Sequence, residues 1–267
     1  SNYVIANASM TFGHPIYNGA LTLAGPLNLG GTATRAITNR STTMITGVIS
    51  NGGMVVIAQN NSTLALAGPN VFALGFVMSD GTLALGHNDA LGRSTGYVSN
   101  VRIQSMDATA RTITNWLTIA GTGATFGAPG TGDLTVEQFV NNGAVAKVLT
   151  IDSIVATFTH GLTNTGPIEI AGNGTLSLGS TGMITRASRL VVHPGATLDV
   201  SGLAAGLVRT TGTLEGGGTL QGSATMNANT LLIPGTADRA QTLTITGNLT
   251  LNNNSTSLFQ VAELPTL

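Results

Sequence analysis

The strongest constraint on this chain is a short strand motif that keeps returning at a nearly fixed interval. Thr63-Leu64-Ala65-Leu66 is followed by Thr82-Leu83-Ala84-Leu85, which puts Leu64 and Leu83 19 residues apart. Further on, Thr175-Leu176-Ser177-Leu178 is followed by Thr197-Leu198-Asp199-Val200, with Leu176 and Leu198 22 apart. Runs of four to six residues with apolar side chains at every second position are half-buried strands. A unit of roughly 20–25 residues cannot bury its apolar face alone, so it stacks on its neighbours and builds a solenoid.

The rest of the chain follows the same pattern. Ala20-Leu21-Thr22-Leu23, Met54-Val55-Val56-Ile57, Ile168-Glu169-Ile170 and Leu243-Thr244-Ile245 read as strands, and Asn18-Gly19, Asn51-Gly52, Asp80-Gly81, Asn142-Gly143 and Asn173-Gly174 as turns between them. No helical pattern of ten or more residues is present, so the expected fold is all-β: a parallel β-helix forming one elongated domain over residues 1–267. Related repeat blocks fall around 33–92 and 144–200, with closing coils over 201–267. Thr38, Thr63, Leu64 and Leu66 recur as Thr150, Thr175, Leu176 and Leu178, each 112 positions on. The interval predicts about 11–13 coils, a stack on the order of 55–60 Å long at about 4.8 Å per coil. A sandwich of antiparallel hairpins is the competing architecture, favoured by the roughly ten-residue strand spacing in 196–222. The expected core rows are Leu64, Leu66, Leu83, Leu85, Leu176, Leu178, Leu198, Val200 and Leu249.

Composition removes several alternatives. Only 8% of residues are charged, yet 42% are hydrophobic and spread along the whole length, which argues against disorder. No stretch reaches the 18 or so apolar residues of a spanning helix. The net charge of −1 provides no footprint for nucleic acid. Cysteine is absent, which leaves the compartment open. The chain opens without a basic segment and long apolar core, so a secreted protein would be present here in processed form.

These residues carry a family resemblance. Residues 62–92 (STLALAGPNVFALGFVMSDGTLALGHNDALG) resemble the autotransporter-associated β-strand repeat, in which two Thr-Leu strands flank an Asn-containing turn. Residues 33–53 and 110–134 look like the strands that precede that repeat, and 196–261 is similar to the closing coils of large secreted bacterial proteins. The resemblance implies a right-handed parallel β-helix exported to the cell surface, either a structural element or an adhesin passenger with loops such as 122–133 at the receptor. It departs from a full autotransporter in showing no C-terminal pattern of lipid-facing barrel strands, and membrane insertion is not expected.

Chemistry is hard to find. The eleven acids are scattered, and the nearest pairs that coil stacking could join are Asp133 with Asp152 and Glu215 with Asp238. Gly92-Arg93-Ser94-Thr95-Gly96 matches the nucleophile-elbow pattern, but a strand pattern follows it where a helix is needed. His14, His87, His160 and His193 lack ligand spacing, so no metal or cofactor is expected. Lys147 has no P-loop glycines before it. The sequons at Asn7, Asn61, Asn173 and Asn248 are those expected by chance. Trp116, next to Leu117 and Ile119, reads as covering a core edge, and carbohydrate stacking is its alternative role. The chain therefore reads as non-enzymatic, with a glycan-binding or glycan-cleaving β-helix module as the alternative.

The ends are where a function is legible. A solenoid's first and last coils expose unpaired backbone groups, which proteins normally blunt with charge or proline. Residues 1–12 and 254–261 carry neither. Tyr3, Val4, Ile5, Met10 and Phe12 at one end, and Leu258, Phe259 and Val261 at the other, are the expected self-association edges of a filament of identical chains. A surface glycan or a host receptor is the alternative partner, and either reading places the protein outside the cell or on its surface.

Overall fold

A computed structural model describes residues 3–17, 19–59, 61–139, 143–236 and 238–260, and within them the chain forms a parallel β-solenoid of about 11 coils. Two long ladders make its main faces. One holds twelve strands, from Met10–Phe12 through Phe76–Ser79 and Thr175–Leu178 to Thr244–Ile245. The other holds thirteen, from Leu21–Leu23 through Thr63–Leu66 and Arg189–Val192 to Thr230–Thr236, Arg239–Ala240 and Thr256–Ser257. A third face carries only short ladders of two or three strands.

Leu64 pairs with Leu83 and Leu176 with Leu198, so the residues that set the interval in the sequence are ladder neighbours. Coil length, read from the register, runs from 17 residues at Leu207 and Ala224 to 27 at Met10 and Ile37. Among the described residues every pairing is parallel except the small hairpin joining Gly235 to Ala240 and Thr236 to Arg239, which excludes the sandwich. The residues 112 apart do not occupy equivalent places. Leu64 lies on the thirteen-strand face and Leu176 on the twelve-strand face, so the interval is not a whole number of coils. The two faces share a Thr-Leu code because both bury every second residue against one interior.

Corners explain how strands this short can be stacked. Asp80 (φ 61°) and Gly81 (φ 68°) both adopt left-handed conformations, which Asp tolerates and Gly prefers. In a hairpin such a pair reverses the chain. Here it turns the chain from Phe76–Ser79 on one face to Thr82–Leu85 on the next, and pairing is left to the coil above.

The interior is one continuous aliphatic column. Leu64, Leu66, Leu83, Leu176, Leu178, Leu198 and Val200 are all buried as expected. Phe126 and Phe158, one coil apart on different faces, meet edge to face at 5.4 Å. Leu249 departs from the expected core. It is 40% exposed, because its ladder partner Ala224 lies on one side only and no described strand pairs its other edge. Where the third face lacks a ladder, buried asparagines tie the coils together. Asn70 accepts from Ile49 N at 2.7 Å and donates to Ala90 O at 2.7 Å, bridging the coils on either side of its own. Asn115 donates to Gly92 O and Ser94 O of the preceding coil alone, and its Oδ1 is buried without a partner. The Asn70 amide, bonded at both ends, replaces backbone bonds that an irregular turn cannot make.

Candidate functional site

The residues expected at the two ends fall on or beside the outermost described strands, apart from Val261. Val4–Ile5 is the outermost strand of its third-face ladder and Met10–Phe12 the outermost of the twelve-strand face. Tyr3 and Ile5 are each 55% exposed, and Val4 is exposed beside them. At the other end Leu258 follows the last strand, its N–H bonded to Leu232 O at 2.9 Å, and Phe259 beside it is 65% exposed. Two of the eight edge residues differ from expectation. Phe12 turns inward and is buried in the core, and Met10 packs against that core, because alternation on a strand with one wet face sends both inside. Their backbone edge stays open while their side chains do not face out. Val261 lies outside the described residues.

The acid pairs suggested by coil spacing do not form. Asp133 accepts a bond from Val155 N at 2.8 Å, and Asp152 is bound to Arg102 Nη1 at 2.7 Å. That guanidinium and the neighbouring Ser153 hydroxyl hold the Asp152 carboxyl below the usual carboxylate range. Asp238 is exposed beside the hairpin turn, away from Glu215. The stretch 122–133 is not a free loop either, since Gly123–Phe126 is a paired strand of the thirteen-strand face.

What does form is a charged ring on the outside of the thirteen-strand face. Glu169, Val191 and Glu215 face outward in register on three successive strands. Arg189 and His193 flank Val191 at two residues either side, so strand alternation turns them outward too. Arg189 Nε lies 3.1 Å from Glu215 Oε1 and its Nη2 3.7 Å from Glu169 Oε1, while His193 Nε2 is 2.8 Å from Glu169 Oε2. The four side chains close over Val191, which is only 2% exposed although it points away from the core. Burial pushes the Glu215 carboxyl up, with the Arg189 charge opposing it. The two carboxylates are two strands apart, about 9.6 Å along the ladder, with Val191 filling the space between them. The ring ties three successive strands together from the outside.

Trp116 is not a core cover. Leu117 takes the inward position and is fully buried, and the indole of Trp116 stands 52% exposed on the outer twelve-strand face. Gly96 pairs with Leu117, so half-exposed Tyr97 is its diagonal neighbour on that face. Lys147, the sole lysine, is buried and donates to Ala120 O and Gly121 O, and burial depresses its ammonium. The segment 92–96 is a loop leading into the strand Gly96–Ser99, with no helix after it. Among the described residues no three His, Asp or Glu converge as a metal would require, and there is no helix long and apolar enough to cross a membrane.

Comparison with known proteins gives one direction. Over 264 residues, 94% of this chain, the sequence is 27% identical to the adhesin BmaC autotransporter of Brucella suis biovar 1 (strain 1330). The chain is similar to an autotransporter adhesin. Fold and match together are consistent with an autotransporter-associated β-helix, and they support a secreted or surface protein. The chain spans 7% of that relative's length. No family model matches, and no solved structure does.

Proposed function

We propose that this chain is a non-enzymatic structural segment of a surface β-helix whose end faces stack end to end on like coils. The observation that carries this reading is the exposed apolar side chains on or beside the outermost described strands: Tyr3, Val4 and Ile5 at one end, Leu258 and Phe259 at the other. The two ends differ, so their contact is heterologous and extends into an open fibre when the rotation does not close. Main-chain pairing across the joint supplies affinity and apolar contacts supply salt resistance. Electron microscopy and sedimentation of the purified chain test it. Unbranched fibres that persist at high salt and are lost when Val4 and Ile5 are both replaced by lysine support the proposal. Monodisperse monomers at high concentration refute it.

A second reading, adhesion to a surface glycan, is favoured by Trp116 and Tyr97, two exposed rings on one flat face in a chain with only 4% aromatics. Sugar rings stack on such platforms through their apolar faces. Loss of binding on a glycan array by Trp116→Ala, with fibre formation retained, would favour this reading over the first.

A further inference from the structure

The third face is interrupted at one place in a way that the ring, the ends and the aromatic platform do not account for. Leu162–Thr163 pairs with Ile184–Thr185, and Leu207–Arg209 pairs with Ala224–Met226, but no pairing joins Ile184–Thr185 to Leu207–Arg209 one coil on. A recess of about 480 Å³ opens at this break. Its walls are mostly aliphatic, with Met183, Ile184, Leu203, Leu207 and Val208 among them, and exposed Arg186 also lines it. None of its lining residues is acidic.

Arg209 does not itself line this recess, but the residues on both sides of it in the chain do. Its neighbours Leu207, Val208, Thr210 and Thr211 all line the opening, while its own side chain is 2% exposed. Nη2 reaches across the break to Ala187 O at 2.7 Å, on the opposite wall just past Arg186. Nε is buried without a partner. No carboxylate among the described residues is within ion-pair range, and burial alone shifts the group, depressing its basicity. Other arginines that leave solvent here are better served. Arg35 donates to Ala6 O, Leu29 O and Gly30 O, and Arg102 has both Gly127 O and Asp152. A buried guanidinium without a counter-charge is strongly unfavourable, and its planar fork matches a carboxylate.

We propose that the recess between Ile184 and Leu207 binds a small aliphatic carboxylate, with Arg209 as its charge partner, Arg186 at the mouth and the leucine-rich walls around its chain. The cationic side chains and the absence of acid in the lining select for negative charge, and the aliphatic walls select a short hydrocarbon body over a phosphate or sulfate. Because Nε has no access to solvent, the ligand enters with a rotamer change of a lining side chain, for which unbranched, half-exposed Met183 is suited.

Hexanoate is the probe, with hexan-1-ol as its uncharged counterpart. Titration is followed by the arginine Nε–H resonances in a ¹H–¹⁵N spectrum and by thermal denaturation. Saturable movement of one buried arginine Nε–H, with a rise in melting temperature that hexan-1-ol does not reproduce, is the expected result. Arg209→Met should weaken hexanoate by about tenfold or more while keeping the far-ultraviolet spectrum of the parent. Arg209→Lys, which keeps the charge and loses the fork, should bind with intermediate affinity. The inference is overturned if hexanoate moves no arginine resonance at millimolar concentrations, if hexan-1-ol matches it, or if Arg209→Met binds as the parent does. The resonance test needs no variant, so a misfolded Arg209→Met would not leave the question open.

Discussion

Replacing Leu176 by aspartate puts a charge at the centre of the stacked interior, and its cost follows from the position. Leu176 is fully buried, with Ala156 as its ladder partner on one side and Leu198 on the other. Loss of the leucine costs about 3 kcal/mol, in the middle of the range for buried leucines. The carboxyl has no donor in this aliphatic row, so it folds protonated. Taking up a proton at pH 7 from an ordinary value near 3.9 adds about 4 kcal/mol at 1.36 kcal/mol per unit. The total, about 7 kcal/mol, is of the order of a whole domain's stability. The sign in pH is fixed as well: a carboxyl raised by folding is tolerated below its unfolded value and increasingly costly above it. At pH 4.5 the second part shrinks to about 1 kcal/mol, so Leu176→Asp should recover about 3 of the roughly 7 kcal/mol there. Urea unfolding followed by far-ultraviolet circular dichroism, across pH 4.5–7, measures both values. Thr175→Asp, one residue away and facing outward, is the control and should be nearly silent at either pH. If Leu176→Asp unfolds at the parent's urea midpoint at pH 7, or shows no more pH dependence than Thr175→Asp, the packed-row account is wrong.

Other consequences can be checked more simply. A Cβ at Gly172 (φ 96°) would collide with the Ile151 carbonyl oxygen, whereas one at Gly130 (φ 80°) meets nothing within 4 Å. Gly172→Ala should therefore lower stability by about 3 kcal/mol and Gly130→Ala by only about 1 kcal/mol, the cost of the left-handed backbone alone, read as a difference in urea midpoint. Arg102→Met removes the partner that depresses Asp152. It should cost up to about 1 kcal/mol at neutral pH for a pair still in touch with solvent, and the gap should close as acid protonates Asp152 in the parent, so that the two melting curves converge at low pH. Trp116, the single tryptophan, should show solvent-like red-shifted emission and ready quenching by acrylamide; blue-shifted, protected emission would place the indole inside.

The fold was open to reading because solenoid coils repeat a local rule. Leu64, Leu83 and Leu85 alternate with small or polar residues, and the interval between copies is the coil itself. Trp116 shows how the same rule is misapplied. Its neighbours Leu117 and Ile119 suggested a place at the core edge, yet they already occupy the inward parity, which leaves an indole between them and Asn115 no place but outside. The Glu169–Glu215 clamp was harder to see. It spans two coils of unequal length, 22 residues from Glu169 to Val191 and 24 from Val191 to Glu215. An error of one residue in either count turns a side chain to the other face. Arg209 was invisible for a different reason: a break in a ladder leaves no mark in the strand code on either side of it.

The parallel register has a mechanical consequence. Each coil is held only by the coils above and below it, and a full turn advances the stack by one strand spacing, about 4.8 Å. Load applied between the two ends acts across the ladders, so backbone bonds at a terminal coil open one after another instead of shearing together. A released coil of about 22 residues becomes a tether of roughly 75 Å, some fifteen times its folded rise. Under tension such a rod would lengthen in discrete steps at a modest, nearly constant force and rewind from the remaining coils when slackened. That is the behaviour of a shock absorber rather than a rigid strut.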